Sequence, residues 1–217
     1  MKLHGYWRST AAWRVRIALN LKGLAWDSVP VHLVRDGGEQ HAASYRALNP
    51  QGLVPALEID GLVLTQSLAI IEYLEEVQPR PPLLPADPAG RARVRSLAQL
   101  VASDIHPLNN LRVLQFLEHR FGLDEAGRAA WYRHWVVEGL GALEARLQRE
   151  PGTGRFCHGD VPGLADCCLV PQLYNARRYS VALETFPTLL RIEAACMALA
   201  AFQAADAAAQ SDAVPPP

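Results

Sequence analysis

The sequence is short of three features, and each shortage argues against a class of protein. No run of 18 or more apolar residues occurs among the 217 residues, so no membrane-spanning helix is predicted. Basic residues are not in excess, because 21 lysines and arginines stand against 22 acidic residues, and this balance gives no sign of a nucleic-acid partner. The first residues also lack the basic and then apolar segments of a secretory signal.

Cysteine is scarce as well, and its spacing is uninformative for metal or redox chemistry. No two of the four cysteines have the C-x-x-C spacing that such sites use. Reduced thiols are the simpler interpretation, which predicts a cytoplasmic protein without a metal site. Half of the residues are hydrophobic, which is ample for one large domain or two small ones. The four cysteines are Cys157, Cys167, Cys168 and Cys196.

The most informative stretch follows a short predicted strand, about Lys2 to Tyr6, where a helical pattern begins. Ser9 and Thr10 fall at the N-terminus of that helix, where unpaired N–H groups and the helix dipole favour an anion such as a thiolate. The plainer alternative is that one of the two hydroxyls merely caps the helix. Three arginines bring more positive charge to this turn than a cap needs, namely Arg8, Arg14 and Arg16.

The order of predicted elements changes once along the chain. Residues 1–78 read as strand, helix, strand, helix, hairpin and helix, which fits a small α/β domain. In it, Asp60-Gly61 predicts a hairpin turn, and Pro30 makes the second strand an edge strand. Five prolines in residues 79–88 predict a semi-rigid linker. Residues 89–217 then read as an all-helical domain with a frayed tail from about Gln203. Its predicted helices are 91–117, 125–147, 164–178 and 188–202.

A family resemblance covers nearly the whole chain. Arg8-Ser9-Thr10, followed by Trp13-Arg14-Val15-Arg16-Ile17-Ala18-Leu19, resembles the signature of the zeta-class glutathione transferases. Ala11 stands where that family usually has a cysteine, so any help from such a thiol is absent here. The resemblance implies a thioredoxin-like α/β N-terminal domain followed by an all-α C-terminal domain, with glutathione as the cofactor.

The resemblance also assigns glutathione contacts before the linker, and some of them have a plainer alternative. Val54 precedes Pro55, a cis proline in this fold, and would offer its backbone N–H and C=O to the cysteinyl part of glutathione. Gln66 and Ser67 begin a helix whose first amides would hold the γ-glutamyl carboxylate, although Ser67 would also make a good plain cap. Gln40 would contact the glycyl end, unless it is a solvated loop side chain.

Further contacts are implied after the linker. His106, Asn110 and Arg112 lie within two turns, where Pro107 should kink the helix toward a cleft, and the family has glutathione and substrate contacts there. A lone histidine is more often structural, but the cluster favours a pocket wall. Arg178 would hold a substrate carboxylate, whereas a basic residue at a helix C-terminus is commonly just a dipole complement.

The function implied is glutathione-dependent cis–trans isomerisation of a maleyl diacid, with maleylacetoacetate placed ahead of maleylpyruvate. Addition of the glutathione thiolate would turn the double bond into a single bond and give an enolate. Rotation and loss of the thiolate then leave the trans product. Ser9 and Thr10 would lower the thiol pKa. Arg8, like Arg178, would bind a carboxylate, and Arg8 or His106 would stabilise enolate charge. A homodimer is implied by analogy.

Two other functions stay open from the sequence. One is a transferase that conjugates or dehalogenates small electrophiles such as α-haloacids, and the breadth of electrophile use would separate it from the isomerase. The other is a non-catalytic binding module on the same fold. Retention of the hydroxyl turn, Gln66-Ser67 and Arg178 together argues against a mere scaffold.

Overall fold

A mixed sheet organises the first unit of the protein in the computed structural model, which describes residues 1–214. Its strands are β1 (Lys2–Gly5), β2 (Asp27–Pro30), β3 (Ala56–Ile59) and β4 (Leu62–Thr65). The strand order is β2-β1-β3-β4, with β1 parallel to β2 and β3 antiparallel to both β1 and β4. The thioredoxin-like α/β expectation is therefore confirmed for this part of the chain.

Two details of the sheet follow from turn and strand chemistry. Asp60 and Gly61 both have positive φ, at 49° and 78°, which is the backbone of the tight hairpin turn that their sequence predicts. Proline cannot donate to a ladder, and β2, which ends at Pro30, lies at the edge of the sheet as expected.

Four helices pack in this first unit, which comprises Met1–Leu83 and the segment from Met197 onward. Between the second strand and the hairpin the sequence predicts one short helix, Glu39 to Leu48, and this prediction is wrong in detail. Ala42 has an extended backbone that separates a 3-10 turn, Glu39–His41, from a short helix. The four helices are α1 (Thr10–Leu21), α2 (Ala43–Leu48), α3 (Ser67–Val77) and α10 (Ala200–Ala205).

The segment after Met197 contradicts the prediction of a frayed tail. Phe202 and Ala205 on α10 are fully buried, and Ala207 beyond it is buried too. Asn20 of α1 donates from Nδ2 to the Ala201 carbonyl at 3.0 Å, so α10 lies against α1. The Ala-rich composition hides this packing because small side chains give almost no hydrophobic pattern. Residues 215–217, the rest of the predicted tail, lie outside the described residues.

A buried ion pair joins the C-terminal ends of α1 and α3. Lys22 Nζ donates to Glu75 Oε2 at 2.7 Å, and the side chains are 0% and 7% exposed. The ammonium also donates to the carbonyls of Gln78 and Pro81 at 2.6 and 3.1 Å. Glu75 in turn accepts the Leu83 N–H. Three donors thus meet three acceptors, which is the condition for burying an ammonium without a large net cost.

The second unit, Leu84–Cys196, is helical in all of its regular structure, as expected. Asp87 and Asp124 cap two of its helices by accepting the N–H of Gly90 and Gly127. None of the helices within residues 1–214 has the length and apolar content needed to cross a membrane. The helices after Leu84 and before α10 are α4 (Pro88–Gln99), α5 (His106–Leu108), α6 (Leu111–Phe121), α7 (Glu125–Arg149), α8 (Leu164–Arg178) and α9 (Pro187–Met197).

The predicted helix 91–117 is broken where Pro107 was expected to kink it. Leu100–Ile105 widens into a π-helical turn, in which the His106 N–H bonds to the Val101 carbonyl five residues earlier. Pro107 has no N–H with which to continue either ladder, so only one short turn follows before the chain breaks at Asn109. Gly139 of α7 allows the π-helical turn to approach α7 closely, because a Cβ at Gly139 would lie 2.2 Å from Ile105 Cγ1.

A second ion-pair cluster ties α4 and α7 to the loop after α7. Glu150 accepts from Arg93 Nε at 2.6 Å and from Arg146 Nε at 2.7 Å. Burial disfavours the charged form of Glu150, but the hydrogen bonds from Arg146 and Arg93 outweigh it and lower the pKa of this carboxyl. Arg93 also donates to the Cys157 carbonyl at 2.7 Å, which holds the loop.

We predict that Lys22→Met destabilises the protein by about 3–5 kcal/mol, since it leaves the Glu75 carboxylate buried without its counter-ion. Chemical denaturation of the variant and of the Lys22→Met/Glu75→Leu double variant measures this. The double variant should recover much of the loss because no charge remains to be desolvated. A single variant as stable as the wild type would contradict the buried-pair interpretation.

We also predict a pH-dependent effect of Glu150→Gln. The folded pKa of Glu150 lies below its unfolded value of about 4.3, so its contribution is complete above that value and is lost as pH falls through the folded pKa. The variant should lose about 1–2 kcal/mol at neutral pH, and the gap to the wild type should close below about pH 4. Thermal melts across this range test it, and two parallel pH profiles would contradict it.

Candidate functional site

One end of the sheet gathers the residues that the sequence singled out before the linker. His4 near the end of β1 pairs with Ala56 at the start of β3, which pairs with Thr65 at the end of β4. The segments that follow β1, precede β3 and follow β4 therefore leave the sheet at the same end. The Val31 N–H donates to the Gly5 carbonyl at 2.6 Å, so the segment after β2 leaves there too.

Ser9 is the N-cap of α1. Its Oγ accepts the Ala12 N–H at 3.3 Å, which leaves the hydroxyl hydrogen available for a further acceptor. The capping role and the donor role are thus compatible. Thr10, the first residue of α1, is only 2% exposed, so Ser9 is the more accessible hydroxyl. The Arg8 guanidinium lies 5.2 Å from the centre of the Trp7 ring.

The Val54–Pro55 peptide, which precedes β3, is cis. Leu53, the residue before Val54, is held in place because its carbonyl accepts hydrogen bonds from Tyr45 Oη and Asn49 Nδ2, both at 2.7 Å. Burial raises the pKa of Tyr45 to about 12, so its hydroxyl stays a donor across the physiological range. Neither Tyr45 nor Asn49 was predicted as a site residue, because nothing local in the sequence indicates that both reach the Leu53 carbonyl.

Gln66 and Ser67 begin α3, but Ser67 is not a plain N-cap. Gln66 occupies the cap position with a φ of 68°, a backbone conformation that costs energy for any residue except glycine. Ser67 is the first helical residue and is buried, and its Oγ accepts from Arg14 Nη1 at 3.3 Å. A buried guanidinium therefore lies beside the first amides of α3, which reinforces the positive potential of that helix end.

Gln40 is buried rather than solvated, which rules out the plainer alternative for this residue. Its Nε2 donates to the Leu33 carbonyl at 3.2 Å. Its Oε1 is buried with no hydrogen-bond partner among residues 1–214. An unsatisfied buried acceptor of this kind suits a ligand that offers an N–H.

The second unit holds the remaining predicted site residues, and their settings differ. Asn110 is the N-cap of α6 and accepts the Arg112 N–H at 3.1 Å through Oδ1, so its oxygen has a structural task. Arg112 is exposed, and His106 is half-buried on the turn after the π-helical segment.

Sequence reasoning missed Asn109, which stands next to the predicted residue Asn110. Asn109 is buried, and neither Oδ1 nor Nδ2 has a partner within the described part of the chain. The Leu108 carbonyl beside it accepts from Trp131 Nε1 at 2.8 Å. The paired asparagines were visible in the sequence, but nothing local indicated which of them faces inward.

Arg178 is the last residue of α8 and is exposed. Its Nη1 donates to Asn175 Oδ1 at 3.1 Å, and no carboxylate within residues 1–214 forms an ion pair with it. Arg177 beside it is paired with Glu193 of α9, which raises the pKa of its guanidinium through that hydrogen bond. The next residue, Tyr179, stacks on Tyr132 of α7 with ring centres 3.5 Å apart.

The cysteines and Asp166 are structural. All four thiols are buried and unpaired by disulfides, and burial raises the pKa of Cys157 well above its usual range. Asp166 accepts the N–H of Gly163, which is the half of a capping box that a glycine at the N-cap permits. It also accepts the N–H of Cys157. Within residues 1–214, no cluster of three or more His, Cys, Asp or Glu side chains is arranged to hold a metal ion.

Comparison with known proteins gives the same family for both parts of the chain. Residues 3–82 match the glutathione S-transferase N-terminal domain, and residues 125–202 match the corresponding C-terminal domain. A maleylpyruvate isomerase from Ralstonia is 52% identical over 98% of this chain and 99% of its own length.

Solved structures agree. A holo maleyl pyruvate isomerase, described as a bacterial glutathione transferase of the zeta class, has a TM-score of 0.96 and 50% identity, covering 99% of this chain and 100% of its own. A maleylacetoacetate isomerase from Methylobacterium extorquens AM1, with malonate and glutathione bound, has a TM-score of 0.95 and 47% identity over 99% and 100% of the two chains.

These matches span almost the full length of both partners in each comparison. The chain therefore belongs to the glutathione S-transferase family. Within that family it groups with the zeta-class relatives named maleylpyruvate and maleylacetoacetate isomerases.

Proposed function

We propose that this protein is a glutathione-dependent cis–trans isomerase of maleyl diacids. The observation that carries the proposal is the Ser9 cap, an accessible hydroxyl at the N-terminus of α1, at the sheet end shared with the Val54–Pro55 turn and the start of α3. The relatives at about half identity bear both isomerase names. The proposal therefore covers maleylacetoacetate and maleylpyruvate as one substrate class.

The residues of the first unit fit glutathione, a tripeptide with two carboxylates and one thiol. Ser67 and the first amides of α3, beside the buried Arg14, suit the γ-glutamyl carboxylate. Val54 offers its backbone to the central residue, as an added strand would require. The buried Oε1 of Gln40, which has no partner in the described chain, suits an N–H toward the glycyl end.

Glutathione supplies a thiolate that adds to the conjugated double bond, permits rotation and is regenerated. Ser9 donates its hydroxyl hydrogen toward the sulfur, because its oxygen already accepts from the helix. The free N–H groups of α1 add positive potential there, and Thr10 supports the turn from within. Arg8 lies next to Ser9 and supplies positive charge for a carboxylate and for developing negative charge on the substrate.

The helical residues would recognise the diacid. Arg178 is exposed and carries a planar guanidinium that can bind a carboxylate through two parallel hydrogen bonds. His106, Asn110 and Arg112 would contribute further contacts to glutathione and substrate. We accordingly assign most of the glutathione contacts to residues 1–78, where Arg8 also meets the diacid, and the Arg178 contact with a diacid carboxylate to the helices after the linker of residues 79–88.

We also propose a cytoplasmic homodimer. The four cysteines are buried and form no disulfide, which is consistent with a reducing compartment. Leu62 and Val63 on the edge strand β4 are 47% and 44% exposed, which is unusual for apolar residues on an unpaired strand edge and suits a second copy. Sedimentation or light scattering measures the oligomeric state.

We predict that Ser9→Ala raises the pKa of bound glutathione toward its free value of about 8.5 and lowers kcat. Ser9→Gly is the matched control for the cap, since glycine at an N-cap costs only a few tenths of a kcal/mol whereas alanine costs about 1. The two variants should share the thiol shift and differ in stability. Thr10→Ala should shift the thiol less. Thiolate absorbance against pH measures all three, and an unchanged pKa in Ser9→Gly would contradict the donor role.

The proposal as a whole is tested by assaying both maleyl diacids with glutathione. We predict turnover that requires glutathione, and at least a tenfold lower kcat/KM for the diacid in Arg178→Lys, because a lysine cannot copy a bidentate contact. Glutathione affinity should stay nearly intact. Arg177→Lys is the matched control, since its partner is Glu193.

Two results would count against these assignments. Glutathione binding without isomerisation of either diacid would contradict the proposed activity. Equal losses of diacid turnover in Arg178→Lys and Arg177→Lys would contradict the role of Arg178 and return it to a helix-end cation.

A further inference from the structure

Both backbone polar groups of Trp7 are held by side chains from other parts of the first unit. The Trp7 N–H donates to Asp212 Oδ2 at 3.0 Å, across 205 residues of sequence. The Trp7 carbonyl accepts from Arg16 Nη2 at 2.9 Å. These two groups belong to consecutive peptide units, Tyr6–Trp7 and Trp7–Arg8, so one side chain holds each unit.

The C-terminal segment is fastened to α1, and this places Asp212. Arg16 Nε donates to the Ala205 carbonyl at 3.1 Å, so one guanidinium bridges α10 and the Trp7 turn. Asn20 binds the Ala201 carbonyl one turn earlier on α10. Phe202 is buried between these contacts along the chain. Asp212 therefore follows a segment that is packed against α1.

Trp7 stands two residues before Ser9, inside the turn that sets the position of the Ser9 hydroxyl. The Ser9 N–H donates to the Tyr6 carbonyl at 2.9 Å, which closes this turn around Trp7. The Tyr6–Trp7 peptide is thus held at both of its polar groups, its C=O by the Ser9 N–H and its N–H by Asp212, and it cannot rotate without breaking a hydrogen bond. Rotation of the Tyr6–Trp7 peptide would therefore move Ser9. A donor that stabilises an anion loses much of its effect when it is displaced by about 1 Å.

Two carboxylates face Arg16, but only one of them reaches the turn. Burial lowers the pKa of Arg16 to about 10, while the charges of Asp212 and Asp206 act to raise it. Asp206 uses its own Oδ1 to accept the Ala208 N–H at 2.8 Å, within the C-terminal segment. Both carboxylates therefore stabilise the charge of Arg16, but Asp212 is the one that binds the Trp7 N–H.

We propose that Asp212 is a positioning residue for the Ser9 turn, which it orients by holding the Trp7 N–H. The inference rests on the proposed role of Ser9 toward glutathione. It assigns to the C-terminal segment a part in the chemistry, although Asp212 itself touches neither cofactor nor substrate.

The first measurement needs no ligand. Amide hydrogen exchange at Trp7, followed by NMR on the full chain, should accelerate about tenfold in Asp212→Ala, the change expected when one net hydrogen bond is lost. Asp212→Asn keeps an acceptor oxygen and should retain most of the protection. Asp206→Ala is the matched control: it removes the same charge near Arg16 from the same segment and should leave the Trp7 amide protected.

The second measurement addresses the chemistry. In Asp212→Ala, the pKa of bound glutathione should rise and kcat should fall about fivefold to tenfold, with the KM for the diacid little changed. Asp212→Asn should restore most of both, whereas Asp206→Ala should resemble the wild type. A purely structural role would lower the melting temperature in both aspartate variants without moving the thiol pKa.

Each outcome decides the matter. Loss of Trp7 protection together with a raised thiol pKa in Asp212→Ala alone would support the proposal. Equal effects in Asp212→Ala and Asp206→Ala, or an unchanged thiol pKa in both, would overturn it while the isomerase activity of the wild type stands. Failure of the wild type to bind glutathione would overturn the proposed function as well, and that result is read from the wild type alone.

Discussion

Three buried cations on or just after one helix constrain the first unit more than any other feature. Arg14, Arg16 and Lys22 follow one another along α1 and its C-terminus, and each is at most 5% exposed. A cation without acceptors in such a place would cost several kcal/mol, so each must be met by oxygen atoms from a neighbouring element. The neighbours of α1 are therefore specified by hydrogen bonding as well as by apolar packing.

The acceptors come from widely separated parts of the sequence. Ser67 Oγ at the start of α3 meets Arg14, the carbonyls of Trp7 and Ala205 meet Arg16, and Glu75 with two later carbonyls meets Lys22. The same hydrogen bonds also position the start of α3, the Trp7 turn and the beginning of the linker. The hydrogen bonds made by the cations of α1 thus also hold together the candidate glutathione site.

Much of this could be predicted from the sequence, because the signals were local. Asp60-Gly61 predicted the hairpin between β3 and β4, and Pro30 predicted that β2 is an edge strand. The motif from Arg8 to Leu19 indicated the family. The burial of Gln40 and the packing of α10 could not be predicted, because they depend on contacts that local periodicity does not report. Asn109 and Asn110 show the limit most clearly, since two identical neighbouring residues have opposite environments.

The anchoring of Trp7 by Asp212 also has a consequence for the order of events during synthesis. A ribosome adding roughly 5–20 residues per second needs about 10–40 s to travel from one residue to the other. Until α10 has been synthesised, Arg16 lacks the Ala205 carbonyl that it binds there. A chain interrupted before α10 would therefore leave the Arg16 guanidinium with one hydrogen-bond acceptor fewer. Cellular proteases act on locally opened states, so we expect an interrupted chain to be degraded faster than one that carries α10.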